Sequence, residues 1–92
     1  MSVVSAQATR CVWFGGKRGL HLRPAAEIAA VASRFPCAIT IRCGAKKADA
    51  KSVLDLLLLT AEEGAGLTLE AGGPESDAAL DALGEVLAAK RW

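Results

Sequence analysis

The chain has 92 residues, 52% of them hydrophobic, and a formal net charge of +1. That length suits one compact domain over residues 1–92, and the near-neutral charge argues against a nucleic-acid-binding face or a basic membrane-surface segment. No apolar run nears the roughly 18 residues needed to cross a bilayer, and Met1 to Arg10 lacks the basic and apolar regions of an export signal, so no membrane insertion is expected and a cytoplasmic location is.

Residues 1–7 are small and polar and read as a flexible lead-in. Thr9 to Phe14 carries β-branched and aromatic residues and reads as the first strand, with the clustered Trp13 and Phe14 expected in the core. A loop, Gly15-Gly16-Lys17-Arg18-Gly19, ends it, its two basic residues reading as solvated charges. The first helix is expected over about Leu22 to Ser33, with Ala25, Ile28, Ala29, Ala32 and Phe35 recurring on one face until Pro36 stops it. Cys37 to Cys43 alternates as a half-buried strand, with Ile39, Ile41 and Cys43 on one side. Gly44-Ala45 turns the chain into a short, weak strand over Lys46 to Ala50. Ser52-x-x-Asp55 is a capping-box-like start for a short helix. Leu67, Leu69 and Ala71 alternate along a further strand, and the last helix runs about Ser76 to Lys90. In that helix Leu80, Leu83 and Leu87 face inward beside Ala79 and Val86, and Lys90 and Arg91 suit the negative C-terminal end.

The order is β-α-β-β-α-β-α. Hairpin-length links in that order predict an α+β open-faced sandwich, with helices on one face of an antiparallel sheet. Cys11, Cys37 and Cys43 form an odd set without a close C-x-x-C pair. Cys37 and Cys43 bracket one strand, and six residues at about 3.3 Å each hold them too far apart for a disulfide, so buried free thiols are expected. One histidine without an acidic cluster beside it predicts no metal site.

That histidine, His21, follows the Gly-rich basic loop and opens the first helix. Pro24 fits the first turn, where its missing N–H has no partner to lose. His21 is therefore expected at the N-cap or next to it, beside orphan N–H groups and the positive end of the helix dipole. Arg23 adds a planar, permanently charged fork of donors. A helix start with an arginine suits a phosphate-sized anion, and an imidazole there can also take up a phosphoryl group covalently. Acid–base catalysis would need a second group, and the nearest carboxylate in sequence, Glu27, lies beyond one helical turn and reads as solvated. The glycines fit no phosphate-binding P-loop pattern.

The segment G-L-H-L-R-P-A-A (Gly19 to Ala26) resembles the active-site signature of HPr, the histidine-containing phosphocarrier family of the bacterial phosphotransferase system. A second segment, K-S-V-L-D-L-L-L-L (Lys51 to Leu59), resembles that family's regulatory-serine helix, and the spacing and element order agree over about residues 8–90. The resemblance implies four antiparallel strands under three helices and a small monomer that carries phosphate without being an enzyme or needing a cofactor. It implies that His21 takes phosphate on Nδ1 from a phosphoenolpyruvate-dependent kinase, enzyme I, and passes it to an EIIA domain, with Arg23 steadying the phosphoryl group. Ser52 has two readings: a helix N-cap alone, or, since it resembles the family's regulatory serine, also a target of an HPr kinase/phosphorylase where the host has that kinase. Two positions depart from the pattern: Leu22 stands where a small or hydroxylated residue is usual, and Thr60 where a glycine or small acidic residue is common.

The helix from Val53 to Leu59 is apolar nearly all round. At 100° per residue Val53, Leu54 and Leu57 share one side, while Leu56 and Leu59 face roughly opposite. One set belongs to the core, and the resemblance puts Val53, Leu54 and Leu57, with Leu22, at a partner-docking surface near His21. The alternative to a sugar-transport carrier is a regulatory interaction module, of the nitrogen-related phosphotransferase branch or controlled through Ser52.

Overall fold

A computed structural model describes residues 8–90. The expectation of a flexible lead-in over residues 1–7 lies outside the described residues, as does the placement of Arg91. The elements run β1 (Ala8–Trp13), α1 (Leu22–Ala32), β2 (Ala38–Cys43), β3 (Lys46–Asp49), α2 (Val53–Leu58), β4 (Gly66–Gly72) and α3 (Ser76–Ala88). The strands form one sheet in the order β1-β4-β2-β3, and every pair is antiparallel. The expected open-faced α+β sandwich is what the chain adopts.

Alternation decides which side of the sheet is covered. Ile39 and Ile41 of β2 and Leu67, Leu69 and Ala71 of β4 are buried on the helical side. They pack with Ile28 of α1, Leu56 of α2 and Leu80, Leu83 and Leu87 of α3 in one core. All the α1 positions expected on the inner face are buried except Phe35, which is half-buried against the core. Arg10 of β1 forms ion pairs with Asp81 and, at 3.8 Å, Asp77 of α3. The hydrogen bond and charge of Asp81, helped by Asp77, hold the guanidinium proton more tightly than usual.

Three expectations are corrected by the structure. Trp13 is not core: it is 74% exposed, while Phe14 is fully buried. Neighbours on a strand point to opposite faces, and Trp13 lies on the open side beside Gly66, whose missing side chain makes room for the indole. Cys11 shares that open side and is exposed, and Cys43 is half-buried, so among the three free thiols only Cys37 is buried. Lys90 does not cap α3, because the helix ends at Ala88 and Ala89 is extended, with φ −64° and ψ 142°.

Thr60, just past α2, has φ 50°. That left-handed conformation is an outlier for a β-branched residue and accounts for the usual preference for glycine there. Its hydroxyl donates to the Leu59 carbonyl at 2.7 Å and accepts from Lys46 Nζ at 2.9 Å. Thr60→Gly is expected to raise stability by about 0.5–1 kcal/mol, because relief of the left-handed penalty outweighs the added freedom of the unfolded chain. A lower urea midpoint for this variant would show instead that the Lys46 hydrogen bond holds the turn.

Candidate functional site

His21 is the N-cap of α1. Its backbone is extended, with φ −105° and ψ −171°, and its carbonyl accepts the Ala25 N–H at 3.0 Å. Its side chain makes no cap hydrogen bond, so the half-buried ring is not committed to its own helix. The first N–H groups of a helix have no intrahelical acceptor. At this end those are the groups of Leu22 and Arg23, since Pro24 has none to offer. The free first-turn N–H groups, the positive end of the helix dipole and the exposed Arg23 all belong to the turn that His21 opens, an arrangement suited to an anion.

The loop before His21 is held from both sides. Gly15 N–H donates to the Leu87 carbonyl at 2.9 Å, and Phe14 N–H to Ala65 O at 2.9 Å. A Cβ on Gly15 would stand 2.4 and 2.5 Å from the carbonyl oxygens of Ala88 and Ala89, which is why this position takes glycine. Gly19 turns with φ 76°, its N–H bonded to Gly16 O at 3.1 Å. The next residue, Leu20, is buried and donates to Ala61 O at 2.8 Å. This last bond ties the approach to His21 to the segment leaving α2, and α1 and α2 pack on each other. Lys17 and Arg18 are exposed, whereas Glu27 is half-buried and not without a partner.

Ser52 caps α2 with φ −111° and ψ 113°, its Oγ accepting the Asp55 N–H at 3.2 Å. The capping box is only half closed. Asp55 Oδ2 accepts the Asp49 N–H at 3.1 Å, and the Ser52 N–H goes to Asp49 O at 3.0 Å. Lys51 Nζ reaches back to Phe35 O at 2.7 Å, fastening the start of α2 to the end of α1.

The apolar α2 divides as its angles require. Leu56 is fully buried, as is Leu59 just beyond the helix, whereas Val53 and Leu57 are half-buried and Leu54 is 69% exposed. Leu58, which the sequence reading left off this surface, is 65% exposed. It lies four residues after Leu54, one turn along the same face. On α1, Leu22 is 64% exposed. A hollow of about 610 Å³ lies elsewhere, lined by Pro36, Cys37, Thr40, Lys47, Asp49 and Lys51 among others, and does not include His21. Among the described residues no three His, Cys, Asp or Glu side chains group as metal ligands, and no helix is long and apolar enough to cross a membrane.

An open-faced sandwich with its lone histidine at a helix start defines a phosphocarrier class. The chain belongs to the HPr family: residues 8–89 match the family described as PTS HPr component phosphorylation site. It is 44% identical over 90 residues to phosphocarrier protein NPr of Shewanella violacea, covering 98% of this chain and 94% of that one. It is 39% identical over 83 residues to the phosphoryl donor subunit DhaM of the PEP-dependent dihydroxyacetone kinase of Providencia stuartii, covering 89% of this chain but 17% of that protein. The crystal structure of HPr-C-His from Thermoanaerobacter tengcongensis superposes with a TM-score of 0.85 at 31% identity, covering 91% of this chain and 94% of that one. An HPr-like phosphocarrier works within a phosphotransfer chain and is not an enzyme in the usual sense.

Proposed function

We propose that His21 is the phosphorylated residue, loaded by enzyme I at the expense of phosphoenolpyruvate and unloaded to an EIIA-type acceptor in the cytoplasm. The observation that supports this is the N-cap position of an imidazole not used as a cap, next to the first-turn N–H groups and two residues before the exposed Arg23. The Nδ1 lone pair forms an N–P bond as the donor's bond to phosphorus breaks; on delivery the N–P bond breaks and the electron pair returns to the ring. The Leu22 and Arg23 N–H groups and the Arg23 guanidinium balance the phosphoryl charge throughout. The half-buried ring is followed by the exposed Leu22 and Arg23, which suits a protein partner, and Leu22, Val53, Leu54 and Leu57 supply the docking surface. Ser52 is the regulatory position in this reading: a phosphate there would displace the Asp55 N–H cap and set negative charge beside both the Asp55 carboxylate and the docking leucines.

Incubation with phosphoenolpyruvate and enzyme I tests this by mass and acid lability. Wild type should gain one acid-labile, alkali-stable phosphate, His21→Ala should gain none, and Ser52→Asp should gain it more slowly. Label persisting in His21→Ala would end the proposal. A second reading, favoured by the 44% identity to NPr, is that the phosphate signals to regulatory partners of the nitrogen-related branch instead of feeding sugar uptake. Competition between sugar-type and nitrogen-type EIIA acceptors for the labelled chain decides between them.

A further inference from the structure

We infer that Leu22 is a specificity-determining residue of phosphoryl exchange: donor and acceptor must present an apolar pocket to it, and partners without one are turned away. The inference rests on the carrier reading of His21 and adds to it a selection among partners.

Leu22 occupies the first turn of α1, immediately after the N-cap. Cα–Cβ bonds on a helix tilt toward its N-terminus, so its side chain leans into the space in front of the helix where a partner meets the imidazole. It is 64% exposed, and within the protein most of its surface stays in water. An incoming group bound for the ring of His21 approaches within one residue of this exposed side chain. The two other exposed leucines, Leu54 and Leu58, stand on α2, the helix packed against α1 and joined to the His21 approach through Leu20 and Ala61. A partner that covers His21 and spans both helices meets an exposed apolar side chain on each. The occupant is the phosphoryl donor or acceptor itself, since only a protein in contact with the ring can exchange the group.

Two effects make Leu22 discriminate. A partner with a matching pocket gains the burial of a leucine, a preference of about 10-fold or more. A partner that places a polar or charged group there must strip it of water against an apolar wall, which weakens docking. The same side chain thus favours one class of partner and disfavours another.

The test uses the full chain and two enzyme I donors. One is the donor encoded with this protein; the other serves a family member with a small residue after the histidine. For each, kcat/KM for transfer to wild type, Leu22→Ala and Leu22→Met is measured, with circular dichroism confirming that each variant is folded. Leu22→Ala is expected to lower kcat/KM about 10-fold with the cognate donor, mainly through KM, and to leave it unchanged or raise it with the other. Leu22→Met, close in volume, should restore most of the cognate rate. A donor preference that stays within twofold of wild type in Leu22→Ala, with His21 still labelled, overturns the inference and leaves the carrier reading standing. Failure of wild type to take label from either donor overturns both.

Discussion

Replacing Gly15 by alanine is expected to destabilise the protein by about 3 kcal/mol and to lower Tm by roughly 12–24 °C. The added Cβ would meet two backbone carbonyl oxygens, at 2.4 and 2.5 Å, in the segment that ends α3. Neither atom is the end of a flexible side chain, so relief requires moving α3 away from the β1–α1 loop. That movement also stretches the 2.9 Å hydrogen bond from Gly15 to Leu87. Thermal unfolding followed by circular dichroism measures the effect. A Tm within about 4 °C of wild type, corresponding to under 1 kcal/mol, would show that the loop and α3 are not so closely joined.

Leu56→Ala should destabilise by about 3 kcal/mol and slow phosphate uptake, whereas Leu54→Ala should slow uptake with little change in stability. With only six residues, α2 is far below the roughly 12–15 at which an isolated helix becomes even marginal. It persists because Leu56 and, just past its end, Leu59 are buried in the core and Ser52 caps its start. Removing the Leu56 side chain leaves a cavity under the helix that carries the exposed leucines, so their presentation suffers with the fold. Leu54 meets no such constraint, being mostly in water. Urea denaturation and enzyme I transfer on both variants separate the two roles; equal losses of stability would contradict the division of α2 into a buried and an exposed side.

Much of this was legible in the chain because periodicity and punctuation agree. Alternation in Leu67–Ala71 and the spacing of Leu80, Leu83 and Leu87 place those side chains in the core, where they are found. Ser52-x-x-Asp55 marks a helix start, and the cap hydrogen bond is there. The misreadings have physical causes. Trp13 and Phe14 look like one aromatic cluster, but a period of two sends them to opposite sides of the sheet, and the same rule puts Cys11 with Trp13. A run of apolar residues on α2 carries no marker of which side is covered, so the burial of Leu56 and the exposure of Leu58 depend on where the sheet lies. The position of His21 at the helix start was readable from Pro24 and the glycines. What holds the loop there was not, since hydrogen bonds to Ala61, Ala65 and Leu87 leave no trace in local composition.

Those three tethers join the approach to His21 to distant parts of the chain. The backbone partners that shape the approach to His21 come from β4's lead-in and from α3, forty or more residues further along the chain. Contacts so distant along the chain close late in folding, and synthesis proceeds from the N-terminus. A nascent chain therefore carries the histidine long before it carries the site. Until α3 has formed, the loop before His21 lacks its Leu87 tether.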